Sequence, residues 1–136
     1  MFSDKATIQQ IIDEALDSFS HGRMEEAEPA LRTVLLLAEE SGQLISYPVA
    51  NIFSLLGDLH SQKHEWMLAQ TYYAECLNIH ENIKPVNNVE IAVVLKRLSE
   101  ILHIQGRLDE ALILALKSNN YLSLDRVMLE VCSTKA

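Results

Sequence analysis

Apolar residues in the first twenty positions fall at Ile8, Ile11, Ile12, Ala15, Leu16 and Phe19, the spacing of one helix face. Ile52, Leu55, Leu56 and Leu59 repeat that rhythm further along. Read with the turn signals between them, the pattern predicts helices over about 5–20, 24–40, 48–62, 65–82, 89–104 and 108–120. His21-Gly22 and Gln105-Gly106 end their helices, because glycine takes the left-handed conformation of a C-terminal cap without steric cost. At the corresponding middle turn stands His64, which must be strained or held in the left-handed region. Glu25-Glu26 and Asp109-Glu110 place carboxylates at helix N-termini, where the dipole favours them. Pro48 reads as a first helical position and Pro29 as a residue near the first turn of its helix. Ser123 reads as the cap of a further short helix, about 123–133, carrying Leu124, Val127, Met128 and Val131 over the end of the last unit.

The pattern repeats with a period of 42 residues. Gly22-Arg-Met-Glu-Glu-Ala27, His64-Glu-Trp-Met-Leu-Ala69 and Gly106-Arg-Leu-Asp-Glu-Ala111 align in phase. So do Val49/Ile91, Ala50/Ala92, Ile52/Val94, Phe53/Leu95 and Leu56/Leu98. Small residues recur at Ala15, Gly57 and Ser99, and again at Ala27, Ala69 and Ala111. Such a series on each of two facing helices lets them approach closely. A fixed period of this length means stacked copies of one helix–turn–helix unit. The units cover about residues 8–47, 48–88 and 89–122 of a single domain.

The resulting fold class is all-α, with three antiparallel helix pairs and a C-terminal capping helix. Gly22…Met24…Ala27 and Gly106…Leu108…Ala111 resemble the tetratricopeptide repeat. The longer period, the run Gly22 to Pro29 and the Pro48-Val-Ala50 helix start are similar to the variety typified by kinesin light chains. The resemblance implies a right-handed superhelix whose first helices line a concave groove for peptide segments of partner proteins. Carried over by position, it implies groove contacts from Ile12, Leu16 and Phe19, from Asn51, Ser54 and Asp58, and from Val93, Lys96, Arg97, Glu100 and His103. Ser54-Leu55 and Lys96-Arg97 stand where kinesin-light-chain-like units carry asparagines that hold peptide backbone. Of the cations and asparagines that clamp a peptide C-terminus in another variety, Asn51, Lys96 and Arg97 are present. Glu14 replaces the apolar residue of Leu56 and Leu98 and marks the first helix as a half-exposed end.

Composition narrows the partners. The 136 residues are 49% hydrophobic, which excludes a disordered chain, and carry a formal net charge of −8. That balance argues against nucleic acid and anionic membrane as partners, since both need clustered Lys and Arg. No run reaches the length of a membrane span, the N-terminus carries no secretory leader, and the initial Met favours a complete chain. Two cysteines, Cys76 and Cys132, are too few for a disulfide framework, and a cytoplasmic location follows.

No cofactor, metal or catalytic chemistry is expected. His60 and His64 are four apart, but His64 falls in a turn, and only His103 offers a third ligand. Cys76 and His80 have thiolate–imidazole spacing, yet Cys76 aligns with core positions Val34 and Ser118. Carboxylate pairs sit at helix ends. Trp66 repeats Met24 and Leu108 and reads as packing rather than as a base-stacking surface with Tyr72 and Tyr73. Lys96 stands four before Glu100, the spacing of a helix ion pair. The reading is a non-enzymatic protein-interaction module, adaptor or scaffold. Its alternatives are a homodimer through apolar end faces (Ile8, Ile12 and Phe19, or Met128 and Val131) and a regulatory peptide sensor.

Overall fold

The computed structural model describes the backbone of residues 5–42 and 45–134 and the side chains of residues 9–23, 25–42 and 45–124. Ile8, Met24, Val127, Met128, Val131 and Cys132 lie outside the described side chains. The described residues form helices α1 (Lys5–Ser20), α2 (Met24–Glu40), α3 (Tyr47–Gln62), α4 (Trp66–Asn82), α5 (Asn88–Ile104) and α6 (Leu108–Thr134). The first five match the spacing-based boundaries to within a residue. The sixth does not. α6 runs unbroken through Ser123, so the separate helix expected there is its continuation. No glycine or proline interrupts residues 108–134, and a serine caps a helix only where the chain before it has left helical geometry.

The three tight turns share one geometry. Gly22, His64 and Gly106 have φ of 76°, 60° and 79°. In each, the next residue's N–H reaches back five places: Arg23 to Ser18 O (2.8 Å), Glu65 to His60 O (2.9 Å) and Arg107 to Leu102 O (2.9 Å). This is the bonding of a Schellman cap, which satisfies a carbonyl the helix end leaves open. His64 therefore adopts the left-handed conformation without glycine's freedom. Side chains cap two helix starts. Ser46 Oγ accepts from Val49 N–H (3.4 Å) ahead of α3, and Asn87 Oδ1 accepts from Glu90 N–H (3.1 Å) ahead of α5. α3 begins at Tyr47, so Pro48 is its second residue rather than its first.

Two compact units divide the chain, Met1–Ile79 and His80–Ala136. In the first, Ile12 and Ala15 of α1, Ala27, Leu31 and Val34 of α2, and Ile52, Leu56 and Leu59 of α3 form one buried cluster. α4 adds Ala69, Tyr73 and Cys76, all buried. Its approach to α3 is close: a β-carbon on Gly57 would lie 2.7 Å from Tyr73 Cε1. In the second unit, α5 buries Ile91, Ala92, Val94, Leu95, Leu98, Ile101 and Leu102. α6 packs against it through Ala111 and Ser118. Ser118 Oγ donates to Ala92 O (2.7 Å) and Ser99 Oγ to Ala111 O (2.8 Å), so the two serines of this pair are satisfied by facing backbone. The in-phase alanines Ala27, Ala69 and Ala111 are all buried, as are Val34, Cys76 and Ser118.

Candidate functional site

α5 carries the clearest outward face. Its buried residues occupy one side of the helix, and Val89, Val93, Lys96, Arg97, Glu100 and His103 are exposed on the other. The face changes character along its length. Val89 and Val93 expose 47% and 43% of their surface near the N-terminus, and charged residues follow. Glu100 is held by Arg97 (Nη1 to Oε2, 3.8 Å) rather than by Lys96. Among the described residues Lys96 has no ion pair. Glu100 and His103 also border a depression of about 660 Å³ whose other walls are mainly apolar, among them Ile104, Leu108 and Leu112.

The faces of the first unit divide differently. On α3, Asn51 is exposed, and Ser54 and Asp58 are half-buried. The Tyr73 hydroxyl donates to Asp58 Oδ1, so this carboxylate already serves the α3–α4 packing. On α1, Leu16 is 41% exposed, and Phe19 is half-buried against the core. Ile12 is 4% exposed and belongs to the core cluster, so it is withdrawn from the contact set. Ile12 is in phase with Ser54 and Lys96, but α1 turns that position inward and fills it with an isoleucine.

A buried polar cluster in the first unit was not legible as such. His60 is 3% exposed. Its Nε2 lies 3.2 Å from Glu28 Oε1 and its Nδ1 3.5 Å from Glu65 Oε2, within ion-pair range if the ring is protonated. Neither contact has hydrogen-bond alignment. The Tyr72 ring stacks on the imidazole at 5.4 Å. Glu28 also accepts from Arg32 Nη2 (3.1 Å) and faces Lys63 Nζ (3.8 Å). Burial pushes the Glu28 carboxyl up, but the Arg32 hydrogen bond and the charges of His60, Arg32 and Lys63 more than offset it and leave it lowered. The available signal was departure from the repeat: His60 stands at the place of Ser18 and Leu102, and Glu28 at the place of Gln70 and Leu112.

His60 and His64 do not form a pair. His64 is exposed in the turn, with its ring edge-on to Trp66 at 5.3 Å. Among the described residues, no three His, Cys, Asp or Glu side chains are placed to hold a metal ion. Cys76 and His80 are each buried, and burial lowers the His80 pKa, with Glu90 opposing. No helix among the described residues is long and apolar enough to cross a membrane.

Paired helices, repeated Schellman turns and in-phase buried alanines define a helical repeat protein. Residues 48–118 match the tetratricopeptide repeat, a span of more than half the chain, and the protein belongs to that family. The fold is shared with BtubC (BKLC) from P. vanneervenii, at a TM-score of 0.82 and 15% sequence identity over 91% of this chain. The match spans 50% of that protein. No curated protein sequence matches the chain. Tetratricopeptide repeats are generally protein–protein interaction modules and typically non-catalytic.

Proposed function

We propose that this chain is a non-enzymatic adaptor that binds a partner protein through the outward faces of its first-in-pair helices, with α5 as the principal contact. The observation that carries this is the α5 face itself. An apolar start at Val89 and Val93 is followed by Lys96, Arg97, Glu100 and His103, on a helix whose opposite side is fully used by the core. Exposed valines contribute affinity by burial. Lys96, with no ion pair among the described residues, offers a charge-assisted contact to a carboxylate of the partner. Asn51 and Ser54 on α3, and Leu16 on α1, are secondary contacts. Asp58 and Phe19 support these faces from within their own unit.

The test is a double charge reversal, Lys96→Glu with Arg97→Glu. Both side chains are exposed, so the helix content and melting temperature should stay close to those of the parent. Partners captured by the parent protein should be lost. Retention of the same partners by a folded double variant contradicts the assignment.

A further inference from the structure

Beyond partner binding on α5, we infer that the outer strip of α6 is a self-association face whose occupant is a second copy of this chain, packed antiparallel across a two-fold axis. Leu108, Leu112 and Leu116 follow one another at four-residue spacing and are 56%, 60% and 54% exposed. Ile104, at 54%, extends the strip from the end of α5. The same line along α6 continues with Asn119 and Ser123, so it carries no charge from Leu108 to Ser123.

Three observations select a second copy. The first is area. Four side chains a little over half exposed present on the order of 400 Å² of apolar surface, at roughly 100 Å² each. Each partner of a standard interface buries about 800 Å², about 65% of it apolar in homodimers, so the strip supplies most of what one side needs. The second is self-complementarity. Four-residue ridges of two identical helices interdigitate at a crossing angle near −50°, the commonest helix-packing class. Antiparallel pairing on Leu112 sets Leu108 of each copy against Leu116 of the other, and the uncharged strip brings no like charges together. The third is the lack of a head-to-tail match among the described side chains of α1. Its described exposed residues are Gln9, Gln10, Asp13, Glu14, Leu16, Asp17 and Ser20. Seating the leucines there would desolvate carboxylates against hydrocarbon. An isologous pairing avoids that and closes at two copies.

The test is sedimentation equilibrium of the whole chain from about 5 to 500 μM, with Leu112→Glu alongside. Leu112 is mostly exposed, so the variant should keep its circular dichroism spectrum and melting temperature. The parent should approach twice the monomer mass, and Leu112→Glu should raise the dissociation constant at least tenfold by setting two carboxylates face to face. A second variant, Leu112→Cys, should form an oxidised dimer across the axis, whereas Leu36→Cys on α2 should not. Lys96→Glu with Arg97→Glu should leave the dimer intact, which separates this inference from the partner-binding proposal. A parent that remains monomeric throughout, or a dimer that survives Leu112→Glu unchanged, overturns it. So does a monomer whose Leu112 face is covered by a different protein.

Discussion

Gly57→Ala is the most informative single perturbation of the fold. A methyl group at Gly57 would lie 2.7 Å from Tyr73 Cε1 and 2.8 Å from Cδ1 and Cζ. Tyr73 is 1% exposed, and its hydroxyl is tied to Asp58, so the ring has little room to retreat. Overpacking of this kind costs about 1–3 kcal/mol. Alanine's better helix propensity returns about 1 kcal/mol. The net expectation is a loss of up to about 2 kcal/mol. The repeat supplies its own control. In phase, the small and large partners are Ala15 with Leu31, Gly57 with Tyr73, and Ser99 with Ala115. The largest side chain thus faces glycine, and in phase with that pair a leucine shares the buried cluster with an alanine. Combining Gly57→Ala with Tyr73→Leu recreates the residue pair of Ala15 and Leu31. The added methyl then fills part of the space the ring vacates, so the double variant should be more stable than Tyr73→Leu alone. Urea unfolding of the four proteins, followed by far-ultraviolet circular dichroism, gives the cycle, with an expected coupling of at least about 1 kcal/mol. Strict additivity, or stabilisation by Gly57→Ala alone, would refute the close-packing argument.

Other outcomes follow from the same geometry. His64→Gly should stabilise the protein by about 0.5–1 kcal/mol, since the left-handed conformation is penalised for any side chain; a melting temperature that falls would show that the Trp66 contact outweighs the strain. Ser118→Ala removes a buried hydrogen bond to Ala92 O and should cost about 1 kcal/mol, read as a lower urea midpoint at unchanged slope. Glu28 has a folded-state pKa below its ordinary 4.5, so its stabilisation is fully present above that value and is lost as pH falls through the lowered one. Glu28→Gln should therefore be less stable than the parent at neutral pH, and the gap should close on acidification below about pH 4.5; a gap independent of pH contradicts the charged cluster.

Much of the fold could be read from the chain because its signals are local and occur three times. Gly22, His64 and Gly106 mark the same turn, and Ala27, Ala69 and Ala111 the same packing point. The end of α6 is less legible for the opposite reason. Ser123 has the chemistry of a cap but stands in one copy only, with no glycine or proline before it to stop the helix. The candidate site was less legible. Ile12, Ser54 and Lys96 share a register, yet the first is buried, the second half-buried and the third exposed, so repeat phase alone does not tell on which side of the boundary a position falls. The Glu28–His60–Glu65–Tyr72 cluster draws on α2, α3, α4 and the turn between the last two, and no spacing rule within one helix reveals it. Asp58 shows the same limit: its partner, Tyr73, is on the next helix.

Site-specific photocrosslinking distinguishes a partner seated on the first-in-pair helices from one seated elsewhere. A benzoylphenylalanine placed in turn at Asn51 and Val93, on the first-in-pair helices, and at Leu36 and Ala74, on exposed sites of the second, samples both classes of face and leaves Lys96 in place. Covalent capture of one and the same partner protein is expected from Val93, more weakly from Asn51, and not from Leu36 or Ala74. Capture confined to Leu36 and Ala74 would contradict a partner seated on the first-in-pair helices.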